Sequence, residues 1–140
     1  MSEQSMKHEQ NGISIYRQFI GGAWSDGQGD SMDVTNPATG AVVGRLNLST
    51  TDDVQSALEA ADRAFASWRR TTAKHRADLL FKLVELLHDD TERLAQLITA
   101  EQGKPLTEAR ADVGMCADLI RFAAENTRRL EGDIVPADDP

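Results

Sequence analysis

The sequence is poor in the residues that staple, kink or bulk out a small domain: one cysteine, Cys116, four prolines, and two Trp, one Tyr and four Phe among 140 residues. A lone cysteine excludes an intramolecular disulfide, and secreted domains of this size usually carry several, so the expected compartment is reducing and the expected location the cytoplasm. With aromatics scarce and the apolar set rich in Ala and Leu, helix packing has to supply most of the burial. No stretch approaches the ~20 consecutive apolar residues of a membrane span. The opening MSEQSMKHEQNG lacks the ~7–15 residue apolar stretch of a secretory signal and reads as a flexible tail over residues 1–14. Positive charge is also short: 15 Lys plus Arg stand against 23 Asp plus Glu, a formal net charge of −8. No global field is available to draw in phosphate backbones or anionic lipid, so neither nucleic acid nor a membrane is an expected partner.

What is present divides near Thr50. Before it, the pattern is that of short strands and tight turns. Tyr16 to Ile20 alternates loosely into Gly21-Gly22, Ala23-Trp24 follows, and a third run lies around Met32 to Thr35. Asn36-Pro37-Ala38-Thr39-Gly40 has turn chemistry throughout, since Pro37 presets φ, the Asn36 side chain can accept from the backbone ahead, and Gly40 can take a positive φ. Ala41 to Leu46 returns as a strand, which predicts a hairpin.

After Thr50 the apolar period becomes helical. Ser49-Thr50-Thr51 offers an N-cap and Asp52-Asp53 negative charge in the first turn, followed by a stripe of Val54, Leu58, Ala61, Phe65 and Trp68. Thr71-Thr72 interrupts and recaps a second helix carrying Leu79, Leu80, Leu83, Leu86 and Leu87 to His88. Asp89-Asp90 can cap a third, which Gly103 stops, with Pro105 close behind. A fourth helix is predicted from about Leu106 to Leu130, with Ala109, Val113, Ala117, Ile120 and Ala124 on one face. Gly132 ends it, and Ile134-Val135-Pro136 begins an extended segment.

Local signatures of catalysis are missing. There is no CxxC, HxxxH, HExxH, GxSxG or GxxxxGK[ST], and Gly21-Gly22 and Gly27-Gln28-Gly29 lack the strand-to-helix setting of a dinucleotide fingerprint. Cys116 lies mid-helix without a cationic neighbour or helix N-terminus to lower its pKa, and reads as a small core or groove residue. His8, His75 and His88 have no partner at ligand spacing, so surface or cap roles are expected. Arg69-Arg70 and Arg128-Arg129 close helices, where the dipole favours positive charge, although each pair could bind an anionic group. Composition and spacing thus describe an α+β piece with a helical core and no active site of its own.

Read together, five segments carry a resemblance: Phe19-Ile20-Gly21-Gly22-Ala23-Trp24; Asn36-Pro37-Ala38-Thr39-Gly40; Asp53-Val54 leading to Ala60-Ala61-Asp62-Arg63-Ala64-Phe65 and Trp68-Arg69; Arg76-Ala77-Asp78-Leu79-Leu80; and Glu101-Gln102-Gly103-Lys104-Pro105. In this order they resemble the N-terminus of aldehyde dehydrogenases. Leu106 and Glu108-Ala109 after the last segment, with Phe122-Ala123-Ala124-Glu125 and Gly132-Asp133-Ile134-Val135-Pro136, are most similar to the succinate-semialdehyde dehydrogenase branch.

The resemblance implies an NAD- or NADP-dependent oxidation of an aldehyde, such as succinate semialdehyde, to the carboxylate in a homo-oligomeric enzyme. The family's cysteine thiolate attacks the aldehyde, a backbone amide and an asparagine hold the oxyanion, and a glutamate activates the hydrolytic water. All of these, and the Rossmann-type strands, match positions beyond residue 140, and Cys116 does not match the nucleophile. The expected fold class is therefore an α+β fragment of the α/β aldehyde dehydrogenase fold: a β-hairpin layer over 15–48, a helical region of about four helices over 50–131, and the start of the next strand over 133–140, without the Rossmann core and catalytic domain. On the fourth helix, Ala111, Met115 and Phe122 match the mouth of the substrate tunnel, or else Met115 and Phe122 fill core. Glu101 matches a position near which some members bind a structural monovalent cation. The chain alone is expected neither to bind NAD(P) nor to oxidise aldehydes. The rival expectation is a non-catalytic helical assembly module derived from the same family.

Overall fold

In the computed structural model, which describes residues 3–127 and 129, an N-terminal β layer is followed by four long helices. A short helix α1 (Glu3–Met6) leads into β1 (Lys7–Gln10), β2 (Ile13–Tyr16), β3 (Gln18–Ile20), β4 (Ala23–Ser25), β5 (Ser31–Thr35) and β6 (Val42–Asn47). The helices are α2 (Thr51–Trp68), α3 (Ala73–Asp89), α4 (Thr91–Gln102) and α5 (Leu106–Asn126). The fourth helix, predicted to run to about Leu130, ends at Asn126 with Thr127 as its C-cap, and the strand predicted over 133–140 lies outside the described residues.

Four strands form one sheet in the order β1-β2-β6-β5, and β3 and β4 pair separately as a hairpin. The expected turns are there: Gly21-Gly22 joins β3 to β4, and Asn36 to Ala41 joins β5 to β6. The Asn36 Oδ1 accepts from the backbone N–H groups of Ala38 and Thr39, at 2.9 and 3.3 Å, which fixes the second turn. Phe19 and Trp24 face each other across the small hairpin with ring centroids 4.9 Å apart.

Two features of the sheet depart from the sequence reading. Residues 7–14, expected within a flexible tail, form β1 and the start of β2, joined by the two-residue turn Asn11-Gly12. Both turn residues have positive φ, 53° and 76°, the geometry that suits the right-handed twist of the flanking strands. β2 then pairs in parallel with β6, Ile15 opposite Arg45 and Tyr16 opposite Leu46. This buries the Ile15 side chain, and Gly44 of β6 is buried beside it in the sheet.

The helices start and stop where their end residues dictate. At α2 the Thr50 hydroxyl accepts from Asp53 N–H at 3.2 Å, while the Asp53 carboxylate accepts from Thr50 N–H at 2.8 Å, a reciprocal capping box. At α3 the Thr72 hydroxyl accepts from His75 N–H at 3.1 Å. Asp90 differs from expectation: it occupies the N-cap of α4, where its carbonyl accepts from Leu94 N–H at 3.1 Å, but its side chain makes no capping bond, because the Arg93 guanidinium takes the carboxylate. Gly103 ends α4 at φ 73°, and a Cβ there would sit 3.0 Å from Pro37 Cγ. The Asn36–Gly40 turn therefore rests against the corner between α4 and α5, and only glycine fits that corner.

The core lies among α3, α4 and α5. Ala77 and Val84 from α3, Ala95 from α4, and Ala109, Val113, Ala117 and Ala124 from α5 are buried. Small side chains at these positions let the helix backbones approach closely. Two charged links hold α5 at its outer edge: Arg110 spans both oxygens of Glu92 on α4 at 2.8 and 3.1 Å, and Lys104 in the α4–α5 connection pairs with Asp112.

Candidate functional site

Ala111, Met115 and Phe122 share one side of α5, and all three are exposed, Met115 at 61% and Phe122 at 65%. At 3.6 residues per turn they lie on the side opposite Ala109, Val113 and Ala117. Leu119, one turn beyond Met115 and 63% exposed, completes the stripe; the sequence reading passed over it, although its spacing from Met115 is the signal that would have found it. Neither Met115 nor Phe122 fills core within the described residues. α5 is thus apolar on two sides, one packed and one bare.

The same holds for α3, whose Leu79, Leu83 and Leu86 are exposed opposite buried Ala77 and Val84. α2 goes further and contains no buried residue, with Val54, Leu58, Phe65 and Trp68 all exposed along its predicted stripe. An apolar groove of about 360 Å³ runs between β3 and the start of α2, lined by Gln18, Ile20, Ser49, Asp53, Val54 and Leu58.

Asp53 is the polar hub at one end of that groove. Beyond its capping bonds it accepts from the Gln18 side-chain amide at 3.1 Å and the Gln28 backbone N–H at 3.2 Å. The backbone and hydroxyl of Thr50, then Gln28 and Gln18, hold its carboxyl below the usual 3.8. Asp33 beside Arg45, Asp90 beside Arg93 and Glu92 beside Arg110 are lowered for a simpler reason, a donated guanidinium bond. All four are structural carboxylates engaged by donors, which leaves them unsuited to act as bases.

The other sequence candidates stay apart. Cys116 is exposed rather than a core residue, since its position on α5 falls outside the packed stripe. His75 and His88 are exposed, with His88 Nε2 3.2 Å from the Arg121 guanidinium, and His8 lies 3.6 Å from Asp26, which also accepts from Arg17 Nε at 3.2 Å. Glu101 is exposed at the end of α4, and no group of three or more His, Cys, Asp or Glu among the described residues could hold a metal ion. Arg69 caps the C-terminus of α2, as its position predicted. No helix of the described residues is long and apolar enough to cross a membrane.

The sequence model of the aldehyde dehydrogenase family matches residues 24–140. The chain belongs to the aldehyde dehydrogenase family. It is 41% identical over 129 residues to the glutarate-semialdehyde dehydrogenase of Pseudomonas putida, and 40% identical over 129 residues to the NADP+ succinate-semialdehyde dehydrogenase of Escherichia coli, covering 90% of this chain and 27% of each relative. Among solved structures, lactaldehyde dehydrogenase from Escherichia coli superposes with a TM-score of 0.86 at 35% identity, covering 90% of this chain and 27% of that one. Succinate-semialdehyde dehydrogenase from Burkholderia pseudomallei gives 0.84 at 36%, covering 88% and 26%. The chain therefore spans about a quarter of the length of the relatives it matches. The expected fold class holds, a β layer and four long helices matching aldehyde dehydrogenase structures over about 89% of this chain.

The family is NAD(P)-dependent. The two glycine motifs serve the fold: Gly21-Gly22 turns one strand into the next, and a Cβ at Gly27 would sit 2.3 Å from the Asn47 carbonyl oxygen, so that loop is packed against the backbone at the end of β6. Neither leaves a strand-to-helix cradle whose amides could face a pyrophosphate.

Proposed function

We propose that these 140 residues are the N-terminal layer of an NAD(P)-dependent dehydrogenase that oxidises a semialdehyde, succinate semialdehyde or a near analogue, to its carboxylate, and that the chain alone is inactive and binds no dinucleotide. The observation that carries this reading is the pairing of about 40% identity to two semialdehyde dehydrogenases with coverage of only about a quarter of each. The bare apolar sides of α2, α3 and α5 support it. Helices with this much uncovered apolar surface are shaped to pack against more protein than the chain contains. In that setting Ala111, Met115 and Phe122 line the approach to the substrate, with α5 held in place by its buried alanine face and by the Glu92–Arg110 pair.

The test is an assay of the purified chain with succinate semialdehyde and either NAD+ or NADP+, together with titration of each dinucleotide followed by calorimetry. The expected result is no turnover and no heat of binding. Turnover by the 140-residue chain would overturn the reading. The assembly-module alternative is separated by thermal melting with an apolar dye: a sharp transition without dye binding favours the module, and a broad one with strong dye binding favours the layer.

A further inference from the structure

The chain has four asparagines, Asn11, Asn36, Asn47 and Asn126. Three are placed where attack by the following backbone nitrogen is hindered. Asn36 accepts two backbone N–H groups and precedes Pro37, whose nitrogen carries no hydrogen. Asn126 closes α5 and donates to the Phe122 carbonyl at 2.8 Å. Asn47 lies in β6, paired opposite Ser31, and precedes the bulkier Leu48. Asn11 alone precedes a glycine, and both residues of that turn are exposed. Open space surrounds Gly12, with nothing within 4 Å of where a Cβ would lie.

We propose that Asn11 is a spontaneous deamidation site, and that its modification unfastens β1 from the sheet. The reaction needs only water. The Gly12 backbone nitrogen, losing its proton to solvent base, adds to the side-chain carbonyl carbon of Asn11. The bond from that carbon to the amide nitrogen breaks, and ammonia leaves after taking up a proton from solvent. One water then opens the five-membered imide at either carbonyl, giving aspartate or isoaspartate, and nothing is oxidised or reduced.

Two features of the fold make the reacting conformation accessible. β1 is an edge strand of four residues, and Glu9 and Gln10, the pair nearest the turn, are exposed. Its anchors are at the other end, where Arg17 N–H donates to Met6 carbonyl at 2.9 Å and His8 lies beside Asp26. The turn end can therefore fray without opening the rest of the sheet. The isoaspartate product adds a methylene to the backbone inside a two-residue loop, and the register that sets Gln10 opposite Ile13 no longer closes.

The experiment incubates the full chain in mildly alkaline buffer, with and without urea, and follows each asparagine by peptide mass mapping and isoaspartate detection. In the native chain the Asn11 peptide is expected to gain the amide-to-acid mass increase ahead of the Asn47 and Asn126 peptides, with the Asn36 peptide unchanged. The isoaspartate form is expected to lose hydrogen-exchange protection at the backbone amides of β1, whereas Asn11→Asp, which keeps a normal backbone and a residue that suits this turn, retains it. The proposal is overturned if Asn11 stays amidated in the native chain over the period in which the urea-unfolded chain converts it, or if the isoaspartate form keeps β1 protected.

Discussion

α2 and α5 are built on the same pattern and end in opposite situations. Each is an amphipathic helix of about five to six turns with a clear apolar stripe. α5 sets Ala109, Val113, Ala117 and Ala124 against α3 and α4, whereas α2 buries no side chain at all. Periodicity states that a face is meant to be covered; it carries no statement of what covers it. The stripe of α2 and the second stripes of α3 and α5 are left uncovered among the described residues.

The sharpest way to break this comparison is to load the packed side. Ala117 is fully buried between close helices, so Ala117→Leu is expected to cost about 1–3 kcal/mol by overpacking, with a lowered urea midpoint as the readout. A midpoint within error of the parent would mean that α5 is not seated as described.

A smaller effect is expected at the polar join between α2 and the β layer. The carboxyl of Asp53 is held below its ordinary value, so its contribution is fully present above about pH 4 and is lost as the pH falls through the lowered folded value. Asp53→Asn should therefore melt below the parent at neutral pH, with the gap narrowing as the pH drops past 3.8. Melting curves over that pH series would refute this if the gap stayed constant.

The smallest effect belongs to the bare stripe. Leu58 is 61% exposed, and Leu58→Ser is expected to change stability by no more than about 0.5 kcal/mol while reducing apolar dye binding. A loss as large as that of Ala117→Leu would show that α2 is covered in solution.

How much of this could be read from the residues depends on whether the cause was local. The capping box of α2 was legible because Thr50 and Asp53 satisfy each other three positions apart, and the two hairpins were legible because their turns name themselves in Gly21-Gly22 and in Asn36 to Gly40. β1 was not, since Lys7-His8-Glu9-Gln10 has no apolar alternation and is a strand through its pairing with β2. The signal available was Asn11-Gly12, a two-residue hairpin turn hidden in a polar stretch. Asp90 looked like a cap by type, but Arg93 one turn on competes for the same carboxylate. On the candidate site, Ala111, Met115 and Phe122 were singled out by resemblance; that they share one side of α5 follows from the helical period, while the bareness of that side depends on the rest of the fold and left no mark on the local pattern.

The parallel pairing of β2 with β6 has a kinetic consequence. Ile15 and Arg45 meet across 30 positions of sequence, whereas the three hairpins and the helix caps close over a few residues each. The hairpins and helical turns can form on their own in microseconds; the sheet cannot exist until that one distant pair is made, and its loop-closure entropy has to be met before any reward arrives. The slow steps in refolding this chain are expected to be its two distant closures, β6 beside β2 and α3 against α5, where His88 and Arg121 meet across 33 positions, rather than the hairpins and helix caps.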